Sequence, residues 1–162
     1  MLTEAQAWQA LRTVPDPEIP VISVCELGIV REVRVDGDAA TVVVTPTYSG
    51  CPATEVIAQT IRAALHEAGA DTVCVETKLS PAWTTDWIEA DAAARLKAYG
   101  IVPPGRVHEV TAQPIRFVQN PLECPRCGSH CTTRLSAFGS TACKALWRCN
   151  DCREPFEEFK PL

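Results

Sequence analysis

Residues 124–129 read CPRCGS and residues 149–154 read CNDCRE, two C-x-x-C pairs with 21 residues between them. A tight turn carrying cysteines at this spacing aims two thiolates at one ion, and two such turns complete the four-sulfur tetrahedron that zinc prefers. The intervening length is slightly beyond the usual ribbon spacing. Gly128 directly behind Cys127 suits a turn that needs positive φ. A module of about 40 residues cannot fold on apolar burial alone, so a bound metal supplies the missing stability. Cys124, Cys127, Cys149 and Cys152 are therefore the expected ligands, for zinc first and for iron as the other candidate. The competing reading is a pair of redox-active or merely buried C-x-x-C sequences, and it fits less well, because redox motifs usually sit at a strand-to-helix junction of a larger fold. Cys131 and Cys143 read as small core residues or, in an iron–sulfur state, as alternative ligands. With four cysteines available, His108 and His130 are expected to be solvated side chains, and His66 an exposed helical residue.

Six of the nine cysteines fall between positions 124 and 152, an abrupt change of composition that marks a second module. The 162 residues suffice for one ordinary domain and a small appendage. Clustered cysteines argue for metal or thiol chemistry in a reducing compartment over a disulfide framework. No apolar run approaches the roughly 20 residues needed to cross a bilayer, and the first residues, MLTEAQAWQALRTV, lack the pattern of a secretory leader. A cytoplasmic protein with no membrane partner is the expectation. Residues 121–162 hold 6 basic and 5 acidic side chains, and residues 1–120 hold 9 and 15. Neither part is a basic patch, which argues against nucleic acid as a partner.

Before the cysteines, the chain alternates helical and extended patterns. Thr3 with Gln6 forms a capping-box pattern ahead of Trp8, Leu11 and Val14, predicting a helix over residues 4–13. PDPEIP (15–20) stops it. Two β-branched runs, 29–35 and 39–44, flank Asp36-Gly37 and predict a hairpin. Ile57, Ile61, Leu65 and Ala68 recur at helical spacing up to Gly69, residues 72–78 alternate as a half-buried strand, and Asp86 with Glu89 offers a last helix start that Gly100 ends. The order predicts an α/β (α+β) domain, helices packed on a small mixed sheet, over residues 1–102. Residues 103–121 read as a proline-rich linker with one short strand around Ile115 to Val118, and residues 122–162 as a zinc-ribbon-like module.

A second thiol chemistry is legible in TPTYSGCP (45–52). Cys51 at the N-cap, with Pro52 at the first helical position, would meet the positive end of a helix and unspent amide donors, which favour thiolate. That suits a nucleophile or a transient metal ligand; position alone leaves a half-buried helix-starting cysteine equally open. Asp16 and Glu18 stand in a rigid loop able to add oxygen ligands, although an aspartate there caps turns just as readily. Thr45, Thr47, Tyr48 and Ser49 place hydroxyls just ahead of the thiol, and SPAWTTDW offers Trp83 and Thr84 as further candidates, although tryptophans more often pack than line sites. None of these motifs supplies a histidine as a base for Cys51, which argues against a protease-like dyad.

DPEIP, ELGIV, the T-x-x-x-C-P pattern of Thr47 to Pro52 and SPAWTTDW together resemble the MIP18-type (DUF59) family, associated with iron–sulfur protein maturation. With GIVPPG and the cysteine module added, nearly the whole chain resembles the D-type proteins of the phenylacetate degradation pathway. The resemblance implies a MIP18-like domain followed by a zinc ribbon, working beside a multicomponent phenylacetyl-CoA epoxidase. That enzyme has a di-iron oxygenase component and an iron–sulfur reductase component, and the D-type protein is expected to help mature one of these centres without catalysing epoxidation. Carried onto this chain, Cys51, Asp16, Glu18 and Thr47 form the reactive or transient metal or cluster site. The alternatives are an electron-carrying or non-catalytic subunit of the oxygenase, or a thiol oxidoreductase; a homodimer is left open.

Overall fold

The computed structural model describes residues 1–105 and 121–162. The expected strand at Ile115 to Val118, most of the expected linker and His108 lie outside the described residues. Contacts divide the chain into two compact units, Met1–Trp83 with Trp87–Ala92, and Thr84–Asp86 with Ala93–Leu162.

The first unit begins with α1 (Glu4–Leu11). Its capping box is formed as expected: the Thr3 hydroxyl accepts from the Gln6 N–H, and the Gln6 amide oxygen accepts from the Thr3 N–H at 3.0 Å. Ala7 and Leu11 are fully buried. The chain then turns through the proline-rich loop, where Val24 N–H bonds Val14 O and Asp16 N–H bonds Ile22 O. Ser23 and Glu26 form a second reciprocal cap, Ser23 N–H to the Glu26 carboxylate at 2.8 Å and Glu26 N–H to the Ser23 hydroxyl at 3.2 Å.

β1 (Val30–Asp36) and β2 (Ala39–Val44) make the expected antiparallel hairpin, with Gly37 at positive φ in its turn. α2 (Ala53–Glu67) crosses over to β3 (Thr72–Thr77), which runs parallel to β2, so the sheet order is β1-β2-β3. The central strand is buried on both faces at Val42, Val43 and Val44. α2 buries Ile57, Ile61 and Leu65, the predicted stripe, while β3 alternates exposed and half-buried as an edge strand does. Each fully buried aliphatic side chain of this core contributes about 1.5–3 kcal/mol.

The last helix departs from the sequence expectation. Thr85–Trp87 form a single 3-10 turn, and α3 spans Ala90–Tyr99, so Asp86 does not open it. The Thr84 hydroxyl donates to the Leu162 carbonyl at 2.8 Å, and the Thr85 N–H reaches the same oxygen at 3.2 Å. The Thr84 oxygen also accepts from the Asp86 N–H at 3.4 Å, which holds that residue in the 3-10 turn ahead of the helix. Gly100, at φ +100, ends α3 as expected.

In the second unit β4 (Ile101–Val102) runs parallel to β7 (Pro155–Phe159), and β6 (Lys144–Cys149) and β5 (Thr132–Ser136) add in successive antiparallel pairs, giving a mixed sheet in the order β4-β7-β6-β5. Ala145, Trp147 and Phe156 pack with Cys124 and Cys149, and Val102, Leu122 and Cys152 lie against them. The Trp147 and Phe156 rings stack at 6.5 Å, and the Trp147 indole N–H donates to Glu158 at 2.8 Å. This small apolar nucleus sits directly beneath the sulfurs.

Candidate metal centre and thiol site

The four Sγ atoms of Cys124, Cys127, Cys149 and Cys152 lie within 4.8 Å of one another. Cys124 and Cys152 are 3.8 Å apart, and Cys127 and Cys149 are 3.6 Å apart. Four sulfurs around a tetrahedral zinc at about 2.3 Å must stand about 3.8 Å from each other, so the donor set and its spacing fit the ion.

The two turns are near-copies. Cys124 N–H bonds Ser129 O at 2.8 Å, and Cys149 N–H bonds Glu154 O at 3.0 Å. Gly128 (φ +75) and Arg153 (φ +67) occupy the same left-handed position one residue after the second cysteine of each pair. Past that bend, the Ser129 backbone donates to Cys127 and the Glu154 backbone to Cys152. The Cys149 thiol is lowered to about 7 by backbone donors at Cys152 and Asp151. Cys127 is lowered by the Ser129 backbone, but the neighbouring thiols outweigh it and push it up to about 12. Four thiolates this close repel one another, and a divalent cation relieves that repulsion. The Ser129 hydroxyl donates to Asp151, tying one turn to the other.

Cys131 and Cys143 stand outside the cluster. Cys143 is buried beside the Thr141 hydroxyl at 3.0 Å, the small core residue the sequence allows. Cys131 is exposed, so the core reading fails for it; the main chain there is occupied, its N–H by the Ser129 hydroxyl and its carbonyl by the Asn150 N–H. His130 is exposed, and His66, also exposed, sits at the end of α2 with Nδ1 2.8 Å from Ala70 O.

In the first unit Cys51 is half-buried in the turn before α2. The N-cap is Pro52, already in helical φ/ψ, and no side chain caps the helix, so the expected N-cap position is corrected by one residue. Proline's fixed φ lets helical geometry begin at Pro52 itself. The Cys51 carbonyl accepts from the Thr54 N–H at 3.2 Å and the Thr54 hydroxyl at 2.9 Å, closing a tight turn that leaves the thiol out of the capping. The other two cysteines of this unit differ: Cys74 is exposed on β3, and Cys25 is buried, its thiol pushed up to about 12 by that burial.

Asp16 is buried, and its Oδ1 accepts from the N–H groups of Glu18 (2.9 Å) and Ile19 (2.8 Å). That is the turn-clamping role the sequence left open. Glu18 is exposed, Thr47 half-buried and Thr45 buried. Trp83 is a packing residue, its indole N–H donating to Leu27 O at 2.9 Å. Among the described residues the four ribbon cysteines are the group of three or more cysteine, histidine or carboxylate donors that converges on one point; Cys51, Asp16 and Glu18 do not form another. The Ser23–Glu26 cap beside these residues is absent from the sequence expectations, although S-x-x-E is a readable signal.

Comparison with known proteins divides the chain in the same order. The iron-sulfur cluster assembly protein family model matches residues 4–76, and the PaaD zinc beta ribbon domain model matches residues 112–160. An Escherichia coli K12 protein described as a putative component of 1,2-phenylacetyl-CoA epoxidase is 50% identical over 155 residues, 96% of this chain and 91% of that one. A "Fe-S protein maturation auxiliary factor" of Porphyromonas gingivalis is 35% identical over 96 residues, 58% of this chain and 90% of its own. The crystal structure of a DUF59 domain from Bacillus anthracis superposes with a TM-score of 0.54 at 25% identity, covering 57% of this chain and 90% of that domain. The chain belongs to the PaaD family, in which a DUF59 (MIP18-type) module of the iron–sulfur assembly class is joined to a zinc β-ribbon.

Proposed function

We propose that this chain is an accessory protein of a phenylacetyl-CoA epoxidase and helps assemble one of that enzyme's metal centres, taking no part in epoxidation. The observation that carries the reading is Cys51: a half-buried thiol in a turn, outside the one group of three or more convergent donors found among the described residues, in the module that matches the iron–sulfur assembly family. One thiolate cannot complete a metal's coordination, so an iron ion or cluster delivered there must take its remaining ligands from weaker oxygen donors and from the recipient. Such a site holds its cargo briefly, and the cargo leaves for a recipient that offers more ligands. Asp16 shapes the loop that carries Glu18, and Glu18 and Thr47 are the oxygen donors we assign to the transfer site.

The ribbon is the opposite kind of site. Cys124, Cys127, Cys149 and Cys152 hold zinc, which supplies folding free energy to a module with a very small core.

The test is to produce the epoxidase with and without this chain, count its iron and sulfide, assay epoxidation, and then add the purified chain back. Assembly predicts an enzyme short of metal that late addition of the chain alone does not repair. Full metal, with activity restored on simple mixing, identifies a working subunit or electron carrier and overturns the proposal.

A further inference from the structure

Between β5 and β6 the chain makes a loop that exposes an aromatic ring, Phe138, which keeps 64% of its surface, and Leu135, near the end of β5, keeps 51%. An isolated exposed leucine is ordinary, but an exposed phenylalanine held by a network of bonds is not. Phe138 N–H bonds the Ser136 hydroxyl at 3.1 Å, and Gly139 N–H bonds Lys144 O at 2.7 Å. Ser140 N–H bonds the Glu157 carboxylate at 2.7 Å, and that carboxylate pairs at 2.9 Å with Lys144, which is 3% exposed. A Cβ at Gly139 would stand 2.5 Å from Oε1 of the same carboxylate, so a larger residue there would push that side chain aside. The Lys160 ammonium lies 4.7 Å from the Phe138 ring centre and donates to Ala137 O at 3.1 Å. The structure thus fixes the backbone on both sides of an aromatic ring that it leaves facing water. Ordering a loop before contact removes an entropic cost of binding, and rigid aromatic side chains of this kind anchor protein interfaces.

We infer that Phe138, with Leu135 and Lys160, is the docking anchor for a subunit of the epoxidase, which offers an apolar pocket with a carboxylate at its rim. The inference rests on the proposed role beside that enzyme. Two observations choose the occupant. The Porphyromonas maturation factor has 96 matched residues making up 90% of its length, so it holds about 107 in all, shorter than the span of both modules here. What distinguishes a protein described as an epoxidase component from a general maturation factor is therefore the extra module, and the anchor lies in it. Charge supplies the second: the ammonium beside the ring has three donors and spends one on Ala137, leaving the tip cationic and suited to a carboxylate.

The experiment measures binding of the full, zinc-loaded chain to the purified epoxidase formed by the other subunits. Phe138→Ala should weaken binding at least tenfold with zinc still one per chain; Phe138→Leu should recover part of the loss; Lys160→Glu should weaken binding and invert its salt dependence; Leu79→Ala, at an exposed leucine of the first unit, should change nothing. Unaltered binding of Phe138→Ala overturns the docking site, as does a wild-type chain that does not bind the epoxidase, or a Phe138→Ala chain that loses only self-association. The function proposed above fails separately, if the epoxidase loads its metal without this chain while the Phe138-dependent binding persists.

Discussion

Cys124 and Cys51 are each followed by proline and each open a turn, and the two surroundings share almost nothing else. Cys124 is 1% exposed, lies over Trp147 and Phe156, and has three further thiols within 4.8 Å. Cys51 is half-buried and, among the described residues, belongs to no group of three or more convergent donors. The thiol is the same chemical group in both, so permanence comes from the number of donors aimed at one point and from the backbone N–H groups that support them. A site lacking those supports is suited to exchange.

The largest effect should separate the two thiols outright. Cys124→Ser should take the zinc count from one per chain to none and leave residues 122–160 open to protease, because a structural zinc contributes on the order of 10 kcal/mol to such a module. Cys51→Ser should keep the zinc and shift stability by no more than about 0.5 kcal/mol, as surface changes do. A metal-replete, protease-resistant Cys124→Ser chain would break the comparison.

Next in size is a backbone test in the unit that carries Cys51. Gly28 has φ +71, and a Cβ there would stand 2.6 Å from the Trp87 Cβ and 2.7 Å from its carbonyl oxygen. Gly28→Ala should cost that unit about 2–4 kcal/mol in denaturant unfolding, with zinc retained.

Asp16 sharpens the distinction between shaping a site and ligating in it. Asp16→Ala leaves the Glu18 and Ile19 N–H groups without their acceptor and should cost about 1–3 kcal/mol. Asp16→Asn keeps the acceptor oxygen, so it should preserve stability and epoxidase maturation alike. Stability preserved with maturation lost would make Asp16 a ligand.

Acid should act on the ribbon through Glu157. Burial raises its pKa, but the Ser140 N–H and Lys144 outweigh that and leave it lowered. A carboxylate depressed in the folded state stabilises above its unfolded value of about 4.3, and that contribution is lost as pH falls through the folded value. Glu157→Gln should flatten this part of the acid-unfolding curve; an unchanged curve would remove the ion pair from the account. The smallest effect is expected at Arg153, whose positive φ costs a residue bearing a Cβ, so Arg153→Gly should stabilise the zinc-loaded ribbon by about 1 kcal/mol.

Where local chemistry decides structure, the residues are readable: Thr3 with Gln6, the Asp36-Gly37 turn, the α2 stripe and the paired C-x-x-C sequences each carry their own geometry. The start of α3 is different: Asp86 lies in a 3-10 turn whose neighbours Thr84 and Thr85 bond Leu162, a partner far along the chain that local sequence does not reveal. Cys51 is displaced from the N-cap because Pro52 adopts helical angles by itself. Cys131 resembles a core residue only by type; it directly precedes β5, the edge strand of its sheet, and is exposed there. At the proposed transfer site, sequence offers the residue types, while the commitment of Asp16 to two amides is visible only in three dimensions.

The most direct measurement is the iron content of epoxidase produced beside the Cys51→Ala chain, with the zinc content of that chain counted in the same preparation. The account predicts an epoxidase deficient in iron and a variant that still carries one zinc. An epoxidase with its full iron would contradict it, and would leave Cys51 as a cysteine that merely precedes a helix.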